Sequence, residues 1–144
     1  MCTVEKLVKD KKNQSVWYVT PQHMVIDALH LMAEKGIGAL PVMDGQTLTG
    51  IFSERDYARK GIIQGRKAKS TPVTEVMTPK VFTVSPEMDI TDCMELMSQK
   101  KIRHLPVMDG GQVVGILSIG DIVMALIREQ GEHIDYLEHY IAGT

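Results

Sequence analysis

The sequence has few of the residues on which several protein classes depend. Its two cysteines, Cys2 and Cys93, lack metal or redox spacing, so we expect reduced thiols in a cytoplasmic protein. Aromatic residues make up only 5% of the chain and the net charge is −2, which argues against general affinity for nucleic acid or an anionic membrane. No run approaches the roughly 18 apolar residues of a membrane span, so no membrane association is expected.

Motifs for catalysis and metal binding are absent as well. The sequence has no nucleophile elbow, Walker loop, GxGxxG or zinc-protease motif, so no enzyme activity is predicted. His23, His30, His133 and His139 form no pair at i, i+4 that could bind a metal together with a carboxylate, so no metal is expected. A chain of 16.0 kDa with 44% apolar residues is then one compact module with a core of its own.

The main feature that is present is an internal repeat. Residues 16–58 align without a gap with residues 81–123, and 18 of the 43 aligned positions are identical. The longest shared block, Leu40-Pro41-Val42-Met43-Asp44-Gly45, recurs from Leu105 to Gly110. Two copies are too few for a solenoid, so we expect two similar units packed face to face, with two related clefts between them.

Each copy is predicted to fold as strand, helix, strand, strand and helix. Residues 16–19 are rich in β-formers, and Thr20-Pro21 and Ser85-Pro86 are expected to start the first helices. Apolar residues at i, i+3, i+4 and i+7 predict one buried stripe in each helix. These stripes are Val25, Ala28, Leu29 and Met32 in the first copy and Ile90, Cys93, Met94 and Met97 in the second. Gly36 suits the end of the first helix, whereas Lys101 stands there in the second copy, so no shared cap is expected.

Tight turns at Asp44-Gly45 and Asp109-Gly110 predict two hairpins, and Pro41 and Pro106 mark their strands as edges. Second helices are expected from Ser53 and Ser118, with Gly131 a candidate break in the tail. The predicted domains are residues 1–64 (first repeat with a lead-in helix), 65–72 (linker) and 73–144 (second repeat with a helical tail). Strands that alternate with helices favour an α/β (α+β) fold.

A Gly-Ile-x-Ser-x-x-Asp motif occupies the predicted strand-to-helix corner of both copies, at residues 50–56 and 115–121. Backbone N–H groups at a helix N-terminus suit a phosphate, a serine hydroxyl can join them, and the aspartate can accept both hydroxyls of a ribose. The same spacing is close to a capping box, in which Ser53 and Asp56 only close off the helix. Recurrence does not separate these two interpretations, because a cap would be duplicated too.

The ordered set of motifs resembles the CBS-domain pair, or Bateman module, over nearly the whole chain. The resemblance rests on the two helix starts, the blocks that begin at Ile37 and Ile102, the two corner motifs and the lead-in at residues 73–78. It implies tandem β-α-β-β-α repeats packed sheet to sheet with pseudo-two-fold symmetry. It also implies an adenine nucleotide in the clefts, with AMP or ATP expected first and NAD as a competitor.

The resemblance further implies which residues contact that ligand. The ribose would be held by Asp56 and Asp121, and the phosphates would lie near Ser53 and Ser118. The remaining implied contacts are Arg103 and His104 for phosphate and Thr20 and Ser85 beside the adenosine.

The two clefts are predicted to be unequal. Arg103-His104 in the second copy aligns with Gly38-Ala39 in the first, so only the Asp121 cleft has a cationic pair for phosphate. With Ala39 there, the Asp56 cleft would be roomier, with Arg55 as its candidate charge, and could take the longer NAD. Arg103 and His104 could instead be a solvated strand end.

The sequence therefore predicts a small regulatory module, a homodimer, that signals to a protein partner through ligand-linked conformational change. Two other functions remain open. One is a structural dimerisation module with vestigial clefts. The other is a weak nucleic-acid-binding module that uses the basic residues between 55 and 69, although the overall charge makes nucleic acid an unlikely partner.

Overall fold

The computed structural model describes residues 2–10 and 16–142, with side-chain surroundings up to residue 131. The elements in chain order are α1 (Val4–Asp10), α2 (Val25–Lys35), β1 (Ala39–Asp44), β2 (Thr47–Ser53), α3 (Glu54–Asp56), a π-helix (Tyr57–Ile62), a 3₁₀-helix (Val73–Glu75), α4 (Ile90–Lys100), β3 (His104–Asp109), β4 (Gln112–Ser118) and α5 (Ile119–Ala142). The strands form two small hairpin sheets, β1–β2 and β3–β4. The predicted α+β fold is confirmed.

The chain divides into two compact units. The first unit consists of Ser15–Phe82 and Gly111–Val113, and the second unit consists of Met1–Gln14, Thr83–Gly110 and Val114–Thr144. The core of the first unit is made of side chains that are almost completely buried: Val19, Val25, Ala28, Met32, Leu40, Val42, Phe52, Val73 and Val76. The domain bounds predicted from the sequence repeat, residues 1–64 and 73–144, stay a prediction. The two units described here are defined by which residues pack together in space, and this does not test where each repeat begins and ends along the chain.

The strand predicted at residues 16–19 is reduced to a single parallel bridge between Val19 and Val42. The N–H of Val19 donates to the carbonyl of Pro41 at 3.1 Å, and the N–H of Met43 donates to the carbonyl of Val19 at 2.8 Å. A parallel ladder would continue through the N–H groups of Pro21 and Pro41, and proline has none. Proline therefore limits the strand to one residue.

The second copy is limited in the same way. Val84 bridges Val107, with its N–H donating to the carbonyl of Pro106 at 3.0 Å. Pro86 and Pro106 occupy the positions of Pro21 and Pro41 in the repeat, so the same two ladder bonds are lost. The β-rich composition of these segments correctly indicated extended chain but not a full strand.

Both first helices begin four or five residues after the predicted start. α2 begins at Val25, and the carboxylate of Asp27 accepts the N–H of Met24 at 2.9 Å. α4 begins at Ile90 with Asp89 as its N-cap, because the Asp89 carboxylate accepts the N–H of Thr91 at 2.9 Å. The predicted start was wrong because the segment from Thr20 forms a separate turn first. The predicted stripes are buried at Val25, Ala28 and Met32 and at Ile90, Cys93 and Met97, whereas Leu29 and Met94 are half-buried.

The two helix ends are alike, contrary to the expectation that only Gly36 would form a cap. Gly36 has φ 66° and Lys101 has φ 55°, both left-handed, and each donates its N–H to a carbonyl of the last helical turn. The next residues, Ile37 and Ile102, donate to the carbonyls of Met32 and Met97 at 3.1 and 3.0 Å. The capping bonds hold Lys101 in a conformation that its side chain disfavours.

The hairpins have the predicted turns. β1 pairs antiparallel with β2, Ala39 opposite Ser53, and the two-residue turn has Gly45 at φ 61°. The turn of the second hairpin is equally short, with Gly110 at φ 60° and Gly111 at φ 81°. Positive φ at these positions is the reason for glycine.

The second helices differ between the copies. After α3, the first copy continues as a π-helix, whereas α5 runs unbroken for 24 residues through Gly131. In the π-helix the Tyr57 ring lies over Gly61, 2.9 Å from where a Cβ would be. The aligned positions in α5 are Ile122 and Leu126, which need no such space. A break at Gly131 is therefore not observed.

Each unit is completed by the segment that precedes the other repeat in the sequence. In the first unit, Thr78, which follows the 3₁₀-helix, exchanges two backbone hydrogen bonds with Ile51 of β2, at 2.8 and 2.9 Å. In the second unit, α1 is attached through the N–H of Val4, which donates to the carbonyl of Met88 at 2.9 Å. The first residue of each corner motif lies under these segments. A Cβ on Gly50 would lie 2.5 Å from Sδ of Met77 and 3.1 Å from the backbone oxygen of Thr78.

Gly50→Ala is expected to lower the free energy of unfolding by about 1–3 kcal/mol, because the added methyl group overpacks the contact with Met77 and Thr78. The measurement is urea denaturation followed by circular dichroism. Gly131→Ala is the control, since a Cβ there meets nothing within 4 Å. In a helix interior that change should raise the stability by roughly 0.5–1 kcal/mol. Equal effects of the two substitutions would contradict the packing argument.

The buried thiol of Cys93 is expected to resist alkylation in the folded protein. Burial, assisted by Asp92 and Asp89, raises the pKa of Cys93 from 9.0 to about 11. The thiolate fraction at pH 8 is then about 100-fold smaller than at the ordinary pKa, and only the thiolate reacts. Mass spectrometry after iodoacetamide treatment at pH 8 should show label on Cys2 first and on Cys93 only when urea is added. Comparable labelling of both in the native protein would show that Cys93 is accessible.

Candidate functional site

Both predicted corners are reciprocal caps. In the first corner, the N–H of Ser53 donates to Oδ2 of Asp56 at 3.0 Å, and the N–H of Asp56 donates to Oγ of Ser53 at 3.2 Å. In the second corner, Ser118 and Asp121 form the same pair of bonds at 2.8 and 3.1 Å. The capping interpretation of the motif therefore holds in both copies. It does not exclude a ligand, since a carboxylate has about four acceptor sites.

The carboxylate of Asp56 has further partners in the first unit. The hydroxyl of Ser53 donates to Oδ2 at 3.1 Å and that of Thr78 to Oδ1 at 3.1 Å. The ammonium group of Lys60 lies 3.7 Å from Oδ1. Together with the Ser53 N–H, these groups match the acceptor capacity of a carboxylate. A ribose that bound to Asp56 would have to displace at least one of them.

Helix length also separates the two corners. The Asp121 corner opens the 24-residue α5, whereas the Asp56 corner opens the three-residue α3 and then a π-helix. Aligned peptide dipoles give a long α-helix a partial positive charge at its N-terminus. An anion is therefore favoured at the start of α5 more than at the start of α3.

The same backbone hydrogen bond occurs within each copy, but only in the second copy does it place an arginine at the corner. The N–H of Ile119 donates to the carbonyl of Arg103 at 2.8 Å, so Arg103 lies beside the N-terminus of α5. The corresponding bond in the first unit joins Glu54 to Gly38 at 3.1 Å, where there is no side chain. Arg103 is exposed, and the neighbouring His104, the first residue of β3, is half-buried. The predicted pair thus lies at the second corner.

The hydroxyl residues at the predicted helix starts have different surroundings. Thr20 is hydrogen-bonded to His23. The backbone N–H of Thr20 donates to Nδ1 of His23 at 2.9 Å, and Oγ1 of Thr20 lies 3.0 Å from the same nitrogen. The second repeat has Met88 in place of His23, and its N–H donates to the carbonyl of Ser85 at 3.2 Å. The Ser85 residue is exposed.

The two remaining candidates belong to the first unit. Ala39 is buried and lies opposite Ser53 in the β1–β2 register. Arg55 is exposed on α3, next to the capping residues. The structure therefore groups Ala39, Ser53, Arg55 and Asp56 at the first corner. Ligand contact by any of these residues stays a prediction.

The basic segment between residues 55 and 69 is partly used for local structure. Nη1 of Arg66 donates to the carbonyl of Lys60 at 2.6 Å and to Oε1 of Gln64 at 2.8 Å, and its Nε lies 3.8 Å from Glu75. Lys60 itself lies beside Asp56. Three other cations of the segment, Arg59, Lys67 and Lys69, are exposed.

No metal-binding group of three or more histidine, cysteine or acidic side chains occurs in residues 2–10 and 16–131. Nor does any helix in that part of the chain have the length and apolar character needed to cross a membrane.

Sequence reasoning did not single out Thr78 or Lys60 as partners of Asp56. Lys60 follows Asp56 at i+4, a spacing that puts opposite charges side by side on a helix. Thr78 was noticed only as part of the lead-in to the second copy. Its contact with Asp56 depends on the return of the chain to β2, which no local pattern indicates.

Comparison with known proteins gives the family. The family model described as "CBS domain" matches residues 8–62 and 73–128. The Arabidopsis thaliana protein "CBS domain-containing protein CBSX3, mitochondrial" is 41% identical over 141 residues, covering 94% of this chain and 68% of that protein. A solved structure of a protein with CBS domains from Burkholderia ambifaria MC40-6 is 48% identical, with a TM-score of 0.86, covering 90% of this chain and 96% of that one. The structure of CBSX2 in complex with AMP is 29% identical, with a TM-score of 0.72, covering 89% and 98%.

Thr78→Val is expected to lower the free energy of unfolding by about 1–2 kcal/mol, because it removes a hydrogen bond to a largely buried carboxylate. Urea denaturation without ligand measures this. Thr74→Val is the matched control, because Thr74 is exposed in the 3₁₀-helix and should change stability by less than about 0.5 kcal/mol. A double-mutant cycle with Asp56→Ala, which removes the acceptor, should give a coupling energy of about 1 kcal/mol. Additive effects would mean that the contact contributes nothing.

Proposed function

The chain belongs to the CBS-domain family, and we propose that this CBS-domain pair is a regulatory module that binds an adenosine-containing nucleotide at its strand-to-helix corners. AMP or ATP is the first candidate and NAD the second. The complex of CBSX2 with AMP supports this class of ligand, since that protein has the same fold.

The observation that carries the proposal is the composition of the Asp121 corner. The Ile119–Arg103 hydrogen bond puts the backbone of the exposed residue Arg103 next to the start of a long helix, at the corner that also contains Ser118 and Asp121. A carboxylate can accept both hydroxyls of a ribose, while helix N–H groups and an arginine fork suit the phosphate. Asp121 would therefore bind the sugar, and Ser118, Arg103 and His104 the phosphate.

The Asp56 corner would bind more weakly. It opens the three-residue α3 and a π-helix rather than the 24-residue α5, so the N-terminal dipole is weaker there. Gly38 stands where the second corner has Arg103, so no arginine side chain is available at that position for phosphate. We therefore expect one dominant site in each chain, with Ala39, Arg55 and Thr20 at the weaker one and Ser85 at the stronger one.

Regulation would follow from linkage. A nucleotide that binds one conformation better than another shifts the population toward it, and a protein partner that distinguishes the two conformations responds. This mechanism requires no reaction at the site, in keeping with the prediction of a non-enzymatic module. A homodimeric state and a cytoplasmic location remain part of the proposal.

Asp121→Ala is expected to weaken nucleotide binding about 10–100-fold, because charge-assisted contacts to the ribose are lost. Isothermal titration with the best ligand from a thermal-shift panel of AMP, ATP, NAD and S-adenosylmethionine measures the effect. Asp56→Ala is the matched control and should weaken the dominant binding event by less than about threefold. Asp121→Asn separates the two roles, because the amide oxygen can still accept the Ser118 N–H while the charge is gone.

Unchanged affinity in Asp121→Ala, together with a lower melting temperature of the ligand-free protein, would show that Asp121 acts only as a cap. A wild-type chain that takes up none of the four ligands would favour a structural module instead.

A further inference from the structure

The loop that joins α4 to β3 in the second unit has more positive charge than the same loop in the first unit. Its sequence is Lys100-Lys101-Ile102-Arg103, which aligns with Lys35-Gly36-Ile37-Gly38. Three cations against one give formal charges of +3 and +1 over the same four positions. Lys101 and Arg103, which replace the two glycines, are exposed, and neither side chain has a partner among the described residues.

Lys101 has a backbone conformation that favours glycine. Its φ is 55°, and it is the only residue other than glycine with a positive φ in the described part of the chain. Gly36 has nearly the same conformation, φ 66°, at the aligned position. A side chain with a Cβ makes this conformation less stable. Local stability alone would therefore favour glycine at position 101, and a strained residue of this kind points to a functional contribution.

A second interpretation is that Lys101 only compensates the negative end of the α4 dipole. Cations near the C-terminus of a helix do stabilise it. Each first helix already has a lysine in its last turn, however, Lys35 in α2 and Lys100 in α4. The first copy ends its helix with that lysine and a glycine, so the dipole does not require Lys101.

The backbone of the loop is fixed beside the Asp121 corner. The N–H of Ile102 donates to the carbonyl of Met97 at 3.0 Å, and the carbonyl of Arg103 accepts the N–H of Ile119 at 2.8 Å. The Cα atoms of Lys101 and Arg103 are two residues apart and so no more than about 7 Å from each other. A lysine side chain is long and flexible. Lys101 therefore adds a second cation near the place where the loop meets the start of α5.

We propose that Lys101 and Arg103 form a subsite for the outer phosphates of a nucleoside triphosphate, so that the Asp121 corner binds ATP more tightly than AMP. This preference presupposes the nucleotide site proposed above and adds the number of phosphates that its ligand carries. An arginine fork can bind two phosphate oxygens and a lysine acts as a point charge. The attraction between these cations and the ligand increases with the negative charge of the ligand.

The first corner lacks this subsite. Gly36 and Gly38 have no side chains at the two positions, and the remaining cation of that loop is engaged elsewhere. The ammonium group of Lys35 lies 4.0 Å from the centroid of the Trp17 ring and 3.5 Å from the carboxylate of Glu34. The two corners therefore differ in how well they distinguish a triphosphate from a monophosphate.

The test is Lys101→Gly in the full chain, with isothermal titration of ATP and of AMP at low ionic strength and without divalent cations. The dissociation constant for ATP should rise about 3–10-fold and that for AMP less than about twofold. The melting temperature of the ligand-free variant should rise by roughly 1–4 °C, because glycine relieves the strain at this position. A gain in stability together with a loss of ATP affinity cannot result from misfolding.

Two variants are the controls. Lys101→Arg keeps the charge and should leave both affinities within about twofold of the wild type. Lys69→Gly removes an exposed charge from the first unit and should change neither by more than about twofold. Raising the salt concentration to about 0.5 M should reduce the preference of the wild type for ATP, since exposed charges are then screened.

Three results would overturn the subsite. These are equal affinity of the wild type for ATP and AMP, an equal loss of both in Lys101→Gly, and a loss of ATP affinity in Lys69→Gly as large as that in Lys101→Gly. In each of these cases the chain still binds AMP, so the proposed nucleotide function stands. A wild-type chain that binds neither nucleotide would instead overturn the function and the subsite together.

Discussion

The contact on which each repeat depends is the reciprocal cap between a serine at the end of a strand and an aspartate in the next helical turn. Ser53 with Asp56, and Ser118 with Asp121, satisfy N–H groups that the change from strand to helix would leave unpaired. The cap also holds the carboxylate in one orientation beside helix N–H groups. The same geometry that stabilises the corner therefore prepares an acceptor for a sugar and donors for a phosphate.

The two corners differ because a different segment packs on each of them: the segment that leads into the second repeat packs on the first unit, and α1, which leads into the first repeat, packs on the second unit. The first unit receives the chain from residues 73–78, and Thr78 then donates to Asp56. The second unit receives α1, whose Val8 would lie 3.2 Å from a Cβ on Gly115, the equivalent of the contact at Gly50. Glycine suits both places because the crossing segment packs closely on the strand, through Met77 and the Thr78 backbone at Gly50 and through the Val8 side chain at Gly115. What the crossing segment brings to the corner depends on its own residues, and these differ between the units.

Much of the fold was predictable because the repeat supplied each pattern twice. The apolar stripes, the hairpin turns and the corner motifs depend on local spacing, and these predictions are confirmed. The errors arose where a non-local contact or a proline outweighed local preference. Pro21 and Pro41 reduced a β-rich segment to one bridge, and Lys101 took the left-handed conformation expected only of glycine.

The amino-acid sequence alone determined the duplication, the family resemblance, the position of both corners and the residues available at them, since all of these follow from identity and spacing along the chain. The tertiary structure decided which partners those residues have. Only the folded chain brings Thr78 and Lys60 to Asp56, sets the backbone of Arg103 beside the start of α5, and leaves Val123 and Ile127 exposed. The physical reason is that hydrogen bonds and burial depend on distance in space, and residues far apart in sequence meet only after the chain has packed.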